Sequence, residues 1–230
     1  MRIDSVPGRG AAGADAPAAR PGSTTLVLLR HGETALTPQG RISGSGGSDP
    51  ALSETGLRQA EAAARRLAER GGVRAVVSSP LRRAQQTAEA AGRHLGLEVQ
   101  VDEGLVEADF GAWEGLTFAE VRERHPDDLA AWRASPDVAP GGTGETFSAV
   151  ARRSALARDR LLARYPGQTV LVVSHVGVLR TLLRLALGAP AASLFRMELS
   201  AASLSAVAHD GDGSGSVRFL NDTSHLEDHH

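Results

Sequence analysis

Short apolar runs alternate along this chain with longer stretches in which apolar residues recur every three or four positions. The runs TTLVLL, VRAVVSS and TVLVVS are largely apolar and rich in β-branched residues, which predicts buried strands. The stretches SETGLRQAEAAARRLAER, PLRRAQQTAEAAGRHLG and VGVLRTLLRLALG have the periodicity of helices that bury one face. Strands that alternate with helices in this way predict right-handed crossovers and a mostly parallel sheet with helices on both faces.

The first helical stretch carries its own boundary signals. Ser53 is of a type that caps helix N-termini, and Gly71 is of the type that ends helices. One apolar face is predicted to consist of Leu57, Ala60, Ala64 and Leu67.

Shorter elements fill the rest of the pattern. LEVQVD alternates as a strand does, and helical patterns cover residues 117–125, 127–134 and about 145–165. Near the end, SLFRMELS, SLSAVAHD and SVRFLN are strand-like and separated by turns. These last segments predict an antiparallel edge on the sheet.

Neither end of the chain has this periodicity. Residues 1–24 are rich in Ala, Gly and Pro and predict a flexible linker or tail. Residues 226–230, LEDHH, resemble a remnant of an expression tag and are left out of the chemistry. The folded domain is expected to cover residues 25–222.

Composition limits the classes of function. With 25 basic and 27 acidic residues the net charge is −2, so neither nucleic acid nor a membrane surface is an expected partner. The absence of cysteine excludes disulfides and thiol chemistry. No apolar run reaches the roughly 20 residues that span a bilayer, and the first 24 residues do not resemble a signal peptide, so a cytoplasmic location is expected. Every basic residue is Arg, so any phosphate would be bound by guanidinium groups.

Two of the predicted strands end in histidine. LVLLRHG places Arg30 and His31 at the end of the first strand, and LVVSHVG places His175 at the end of a later one. Ligands of open α/β sheets bind beyond the carboxyl ends of the strands, so both histidines are expected in one crevice. A single histidine in such a place is more often a hydrogen-bonded core residue. Two histidines at matched strand ends favour a site.

Two other segments reach the same edge of the sheet. VRAVVSSPLRR delivers Arg82 and Arg83, of which only one can face the crevice because adjacent helical residues point about 100° apart. LVEADFGAWEG carries Glu107, with Asp109 and Glu114 nearby. Arginines bind phosphate bidentately, neutral imidazole can attack phosphorus, and a protonated carboxyl can supply a proton to the leaving oxygen. Together these groups predict a phosphate site with chemistry.

The motifs LLRHGET, SSPLRRAQQTA, LVEADFGAWEG and VVSHVGVLR, in this order, resemble the histidine phosphatase superfamily, also called phosphoglycerate mutase-like. The resemblance implies a three-layer α/β/α sandwich around a mostly parallel sheet with an antiparallel edge. It also implies His31 as the nucleophile, Arg30 and Arg83 as phosphate ligands, and Glu107 as the proton donor. The second histidine, His175, would bind the transferred phosphoryl group and stabilise its charge.

Some positions extend or depart from this resemblance. Thr37 stands where the family commonly has a phosphate-binding Asn, and its hydroxyl is expected to bind phosphate more weakly. Residues 109–144 would form a cap over the site. Further candidates for substrate contacts are Arg82, Arg41, Gly44 and Val176.

The resemblance implies a metal-independent phosphomonoesterase, of the acid phosphatase or α-ribazole-phosphate phosphatase type, that acts on a small phosphorylated metabolite through a phosphohistidine. A phosphomutase of the same fold and a non-catalytic phospho-ligand module remain alternatives. The demand for neutral His31 and protonated Glu107 predicts an acidic optimum. No metal or other cofactor is expected, because ligand spacing is absent around His94, His125, His209 and His225.

A more specific resemblance concerns the ends of the chain. Actinobacterial two-domain proteins join a ribonuclease H domain, through an Ala/Pro/Gly linker, to a phosphatase domain similar to this one. The linker-like residues 1–24 fit such a protein. A covalently attached N-terminal ribonuclease H domain is therefore expected in the full-length protein.

Overall fold

The computed structural model describes residues 22–229, and within them the chain forms a six-stranded sheet with the strand order β3-β2-β4-β1-β5-β6. The linker predicted for the N-terminus lies almost wholly outside the described residues, as does His230. The strands are β1 (Thr24–Arg30), β2 (Val73–Ser78), β3 (Val99–Val101), β4 (Thr169–Ser174), β5 (Leu204–His209) and β6 (Gly215–Asp222).

Helices cover both faces of this sheet. They are α1 (Glu54–Arg70), α2 (Arg82–Leu95), α3 (Phe118–Arg124), α4 (Pro126–Ala134), α5 (Phe147–Arg164) and α6 (Val176–Ala186). Alternate residues of β1 point to opposite sides: Leu26 and Leu28 pack with α5 and α6, and Val27 and Leu29 pack with α1 and α2. The predicted three-layer α/β/α sandwich is confirmed.

Strand direction also agrees with the sequence pattern. β1, β2, β3 and β4 pair in parallel, whereas β5 is antiparallel to β1 and β6 is antiparallel to β5. The two strands joined by the Gly-rich turn thus form the predicted antiparallel edge. β1 begins at Thr24, one residue before the expected start of the domain.

Helix α1 shows where the apolar pattern succeeds and where it fails. The Ser53 side chain accepts a hydrogen bond from the Gly56 N–H, and Gly71 ends the helix with φ of 67°. Ala60, Ala64 and Leu67 are buried, but Leu57 is 46% exposed. The prediction that Leu57 belongs to the buried face is wrong, because this position lies beyond the edge of the face that α1 presents to β1 and α2.

The segment SLFRMELS is a second correction. It was expected to be a strand, but residues Ala191–Arg196 form a 3-10 helix that follows Pro190. Leu194 and Leu199 are buried at 3% and 4% exposure, while the Phe195 ring lies edge-on to Trp132. Apolar side chains therefore anchor a turn here, and their spacing only imitates the alternation of a strand.

Residues 109–144 build a small cluster of their own beside the sheet. They contain α3 and α4, and the buried rings of Trp113 and Trp132 pack edge-on with centroids 5.3 Å apart. Ile42, from the loop before α1, joins this cluster. The cluster fixes the position of the loop and of α3 relative to the carboxyl end of the sheet. No helix in residues 22–229 is long and apolar enough to cross a membrane.

Candidate active site

Strand pairing brings the two predicted histidines together. β1 and β4 are neighbours, and their register pairs Arg30 with Ser174, the residues directly before His31 and His175. The His31 N–H donates to the Ser174 carbonyl over 3.0 Å, and the two imidazole centroids are 5.0 Å apart. Both rings therefore lie together at the carboxyl ends of neighbouring strands.

The surroundings of His31 define its protonation state. Its Nδ1 is 2.7 Å from the Gly32 carbonyl, which can only accept, so Nδ1 carries the proton and Nε2 keeps a lone pair. Gly32 is itself held because its N–H donates to the Thr87 hydroxyl over 3.1 Å. Burial, reinforced by the charges of Arg30 and Arg83, holds the pKa of His31 well below its usual value. His31 is thus a neutral imidazole with one available nitrogen.

His175 is more enclosed than His31. It is 1% exposed, and its side chain lies behind His31 rather than in the wall of the adjoining cavity. Its Nε2 is 2.7 Å from the Ser79 hydroxyl, and its buried Nδ1 has no hydrogen-bond partner within the described residues. Burial, followed by the influence of His31, keeps the pKa of His175 well below its usual value.

Two arginines flank His31. Arg30 donates from one terminal nitrogen to the Leu199 carbonyl over 2.7 Å, and burial lowers its pKa to about 10. Arg83 is 1% exposed and donates to the Ser43 carbonyl over 2.8 Å, with Asp49 3.4 Å from its other terminal nitrogen. Both guanidinium groups are therefore held by backbone carbonyls, and each has further N–H groups with which it could bind an anion.

Glu107 supplies a buried carboxyl group opposite these charges. It is 5% exposed, and its two oxygens accept hydrogen bonds from the N–H groups of Ala108 (2.9 Å) and Gly177 (3.0 Å). Burial raises its pKa, and this effect exceeds the opposing effects of the two N–H groups and of Arg83. Burial therefore favours the protonated form of Glu107 more than it would for a carboxyl group in water.

These side chains surround a cavity of about 300 Å³. Arg30, His31, Arg83 and Glu107 lie in its wall, and Phe110 and Phe118 contribute apolar surface on the side of α3. In residues 22–229 no group of three His, Asp or Glu side chains is placed to hold a metal ion.

The remaining predicted residues divide into two groups. Thr37, Arg41 and Val176 line the cavity, whereas Arg82 and Gly44 do not. Arg82 is exposed and its N–H donates to the Asp49 carboxylate. The N–H of Gly44 donates to Glu114 over 2.9 Å, so Gly44 shapes the loop behind Arg83.

Two of these residues in the cavity wall, Thr37 and Arg41, already bind other groups of the protein. The Thr37 hydroxyl accepts a hydrogen bond from the Thr34 N–H over 3.0 Å and lies 3.2 Å from the Thr34 hydroxyl. Arg41 donates to the Gly115 carbonyl over 2.7 Å and pairs with Glu120 at 3.2 Å. Arg41 thus links the loop after β1 to α3 more than it faces a ligand.

Sequence reasoning missed two residues of the site. Arg180 lies in the cavity wall, and Ser79 holds the ring of His175. The signal for Arg180 was its spacing, because it stands one helical turn after Gly177 and four residues after Val176 in α6. The Ser79 signal was ambiguous, because Ser before Pro also marks a helix start.

Comparisons with known proteins identify the family and support the fold. Residues 26–223 match the family model described as histidine phosphatase superfamily (branch 1). Phosphoserine phosphatase 1 of Hydrogenobacter thermophilus (strain DSM 6534 / IAM 12695 / TK-6) is 33% identical over 201 residues, which are 87% of this chain and 93% of that protein. The solved structure of mycobacterial glucosyl-3-phosphoglycerate phosphatase with VO3 superposes with a TM-score of 0.78 at 34% identity, covering 86% of this chain and 99% of that chain.

A further relative is longer than this chain. The Bifunctional protein Rv2228c of Mycobacterium tuberculosis (strain ATCC 25618 / H37Rv) is 53% identical over 208 residues, which are 90% of this chain but 56% of that protein. The chain therefore spans about half the length of this curated relative. The match over residues 26–223 and the level of identity show that the chain belongs to branch 1 of the histidine phosphatase superfamily.

Proposed function

We propose that this histidine phosphatase hydrolyses phosphomonoesters without a metal ion, through a phosphohistidine on His31. The observation that carries the proposal is the ring of His31, whose Nδ1 is held by the Gly32 carbonyl and which lines one cavity together with two fixed guanidinium groups and a buried carboxyl. A nucleophile, charge stabilisation for the phosphoryl group and a proton donor are the three components that such a transfer requires.

In the first half-reaction, the Nε2 lone pair of His31 forms a bond to phosphorus while the bond from phosphorus to the ester oxygen breaks. Arg30 and Arg83 hold the transferring oxygens, and Glu107 gives its proton to the departing oxygen. The alcohol leaves, and the phosphoryl group remains on Nε2. Because Arg30 and Arg83 are positioned before the substrate arrives, little reorganisation is needed in the transition state.

In the second half-reaction, Glu107 is a carboxylate and takes a proton from water as that water attacks phosphorus. The bond between phosphorus and Nε2 breaks, its electron pair returns to the ring, and inorganic phosphate leaves. Both starting protonation states are restored. His175, held by Ser79 behind His31, would stabilise charge on the phosphorylated ring, and Thr37 would offer its hydroxyl to a phosphoryl oxygen.

Substrate and context are proposed at the level that the comparisons support. Relatives named for phosphoserine and glucosyl-3-phosphoglycerate favour a small phosphorylated metabolite, with residues 109–144 acting as a cap that limits its size. Phosphatases of the acid and α-ribazole-phosphate types belong to the same proposal. For the full-length protein we propose an additional ribonuclease H domain, and the relative called bifunctional favours a second domain of this kind. We also propose a cytoplasmic location.

Hydrolysis of p-nitrophenyl phosphate by the wild type and by His31→Ala tests the mechanism. We expect the variant to lose essentially all turnover, whereas the control His94→Ala, which removes an exposed histidine paired with Glu61, keeps it. Acid quenching of the wild type should trap phosphate in an acid-labile bond to histidine. Equal rates in wild type and His31→Ala, or loss of activity with a chelator, would contradict the proposal. Transfer of the phosphoryl group to an added alcohol in preference to water would favour the phosphomutase alternative.

A further inference from the structure

Arg180 is a guanidinium group in the cavity wall to which the phosphoryl chemistry assigns no task. It projects from α6 into the cavity that contains Arg30 and His31. Its side chain is half-buried, and its Nε is fully buried without a hydrogen-bond partner within the described residues. Two carboxylates, Glu107 and Glu198, influence it only through space.

The other arginines of the wall are tied to protein groups. Arg41 pairs with Glu120 and donates to a carbonyl of the loop before α3. Arg30 donates to the Leu199 carbonyl, and Arg83 is held by the Ser43 carbonyl and by Asp49. Within the part of the chain that the structure describes, Arg180 is therefore the arginine of this cavity that has neither a hydrogen bond nor an ion pair.

Partial burial of the Arg180 guanidinium costs free energy when no anion is bound to it. Partial burial removes water from the guanidinium, and its charge acts against that of Arg30, whose pKa is lowered mainly by burial and also by Arg180. One phosphoryl group already has Arg30 and Arg83 as ligands. An additional positive charge in the same small space is better matched by a second negative charge on the substrate.

We propose that Arg180 binds a carboxylate carried by the substrate beside its phosphoryl group, so that the preferred substrates are small phosphomonoesters of hydroxy acids. This inference rests on the proposed phosphatase activity and adds a specificity-determining residue to it. The planar fork of Arg suits a carboxylate, and the cavity of about 300 Å³ requires the carboxylate to lie within a few bonds of the ester oxygen. Phe110 and Phe118 would contact the short carbon chain between them.

A matched pair of substrates tests the inference. 3-Phosphoglycerate and glycerol 3-phosphate differ in that the first carries a carboxylate where the second carries a hydroxymethyl group. We expect the wild type to prefer 3-phosphoglycerate by about 10- to 100-fold in kcat/KM, the range of one charge-assisted interaction. In Arg180→Gln the ratio should fall to about 2 or less, and Arg180→Lys should restore part of it. Arg184→Gln, which removes a charge from the same helix outside this cavity, should leave the ratio unchanged.

The outcomes distinguish failure of the carboxylate inference from failure of the proposed phosphatase activity. If Arg180→Gln lowers kcat/KM equally for both substrates, Arg180 serves the phosphoryl group, and the carboxylate inference is overturned. The inference is also overturned if the wild type shows no preference between the two esters. If the folded wild type hydrolyses neither ester nor p-nitrophenyl phosphate, the proposed function fails, and the inference fails with it. Thermal unfolding of each variant confirms that the rates belong to folded protein.

Discussion

At the scale of single residues, the proposed chemistry depends on two groups whose pKa values move in opposite directions. Burial and neighbouring arginines lower the pKa of His31, which favours the neutral ring, whereas burial raises the pKa of Glu107, which favours the protonated carboxyl. The sequence raised a conflict here, because nearby arginines lower both values. The structure resolves it, since Glu107 is enclosed deeply enough for desolvation to exceed the attraction of Arg83.

The pH dependence follows from these directions. The proposed mechanism needs protonated Glu107, so kcat/KM should decrease as pH rises through the raised pKa of this group. Glu107→Gln does not titrate at that position, so it should lose this descending limb and about 10²- to 10³-fold in rate. Rates on glycerol 3-phosphate between pH 4 and 9 measure both effects.

Glu107→Asp provides the control, because a shorter carboxyl should retain a descending limb at reduced rate. Ionisation of the substrate phosphate occurs in both variants and does not distinguish them. If Glu107→Gln and Glu107→Asp show the same descending limb, that limb does not report Glu107, and the assignment of this residue as proton donor is contradicted.

Much of the site could be predicted because its residues end strands. Apolar runs are followed directly by His31 and His175, and Glu107 stands in the loop just after another. Their local sequence therefore predicts that they lie at the carboxyl edge of the sheet, where ligands bind. Arg180 has no such signal because it lies within α6. Its place in the cavity wall depends on which side of that helix faces the cavity. Thr37 could not be evaluated either, because its bond to the Thr34 N–H is visible only in the folded loop.

At the scale of elements, the N-terminus of α6 determines the position of the Glu107 carboxyl group. A Cβ at Gly177 would lie 2.5 Å from a carboxyl oxygen of Glu107, and the Gly177 N–H donates to the same group. Gly177→Ala should therefore displace Glu107 and lower kcat at least about 10-fold with a smaller change in KM, as expected when a catalytic group is misplaced.

Gly211→Ala is the matched control for this substitution. A Cβ at Gly211 meets no atom within 4 Å, so the same change in composition should leave the kinetics unaltered. Wild-type kcat in Gly177→Ala would show that the loop around Glu107 adapts and that this close contact has no catalytic consequence.

Helix α1 offers a comparison of two leucines that the sequence pattern treats as equivalent. Leu67 is 2% exposed and Leu57 is 46% exposed. Leu67→Ala should reduce the free energy of unfolding by about 2–5 kcal/mol, because it leaves a cavity in the core. Leu57→Ala should change it by about 0.5 kcal/mol or less. Urea denaturation monitored by circular dichroism measures both, and equal losses would contradict the observed orientation of α1.

Periodicity predicted the elements better than their facing directions. It located α1, α2, α5 and α6 through their apolar repetition, and α1 and α2 also end at a glycine, Gly71 and Gly96. It failed for SLFRMELS, where Pro190 and the neighbouring aromatic cluster favour a 3-10 turn over pairing at the sheet edge. Which strand lies at an edge is a long-range property that local alternation does not contain.

At the scale of the whole molecule, the candidate active site concentrates positive charge in a protein whose net charge is −2. Arg30, Arg83 and Arg180 share one cavity, and the pKa of each is lowered chiefly by burial. Folding therefore brings together like charges that stay apart in the unfolded chain. A bound anion relieves this cost only in the folded state, so ligand binding and global stability should be coupled.

Inorganic phosphate should consequently raise the midpoint of thermal unfolding. At a concentration of about 100 Kd, binding contributes about 2.7 kcal/mol, which corresponds to about 5–10 °C for a chain of this size. Chloride at equal ionic strength separates this effect from general screening, and Arg30→Gln, which removes a phosphate ligand, should reduce the shift by more than half. Differential scanning calorimetry at several phosphate concentrations gives the measurement. A midpoint that is independent of phosphate would mean that the protein compensates these charges internally, and the anion site at the ends of β1 and β4 would lose its electrostatic basis.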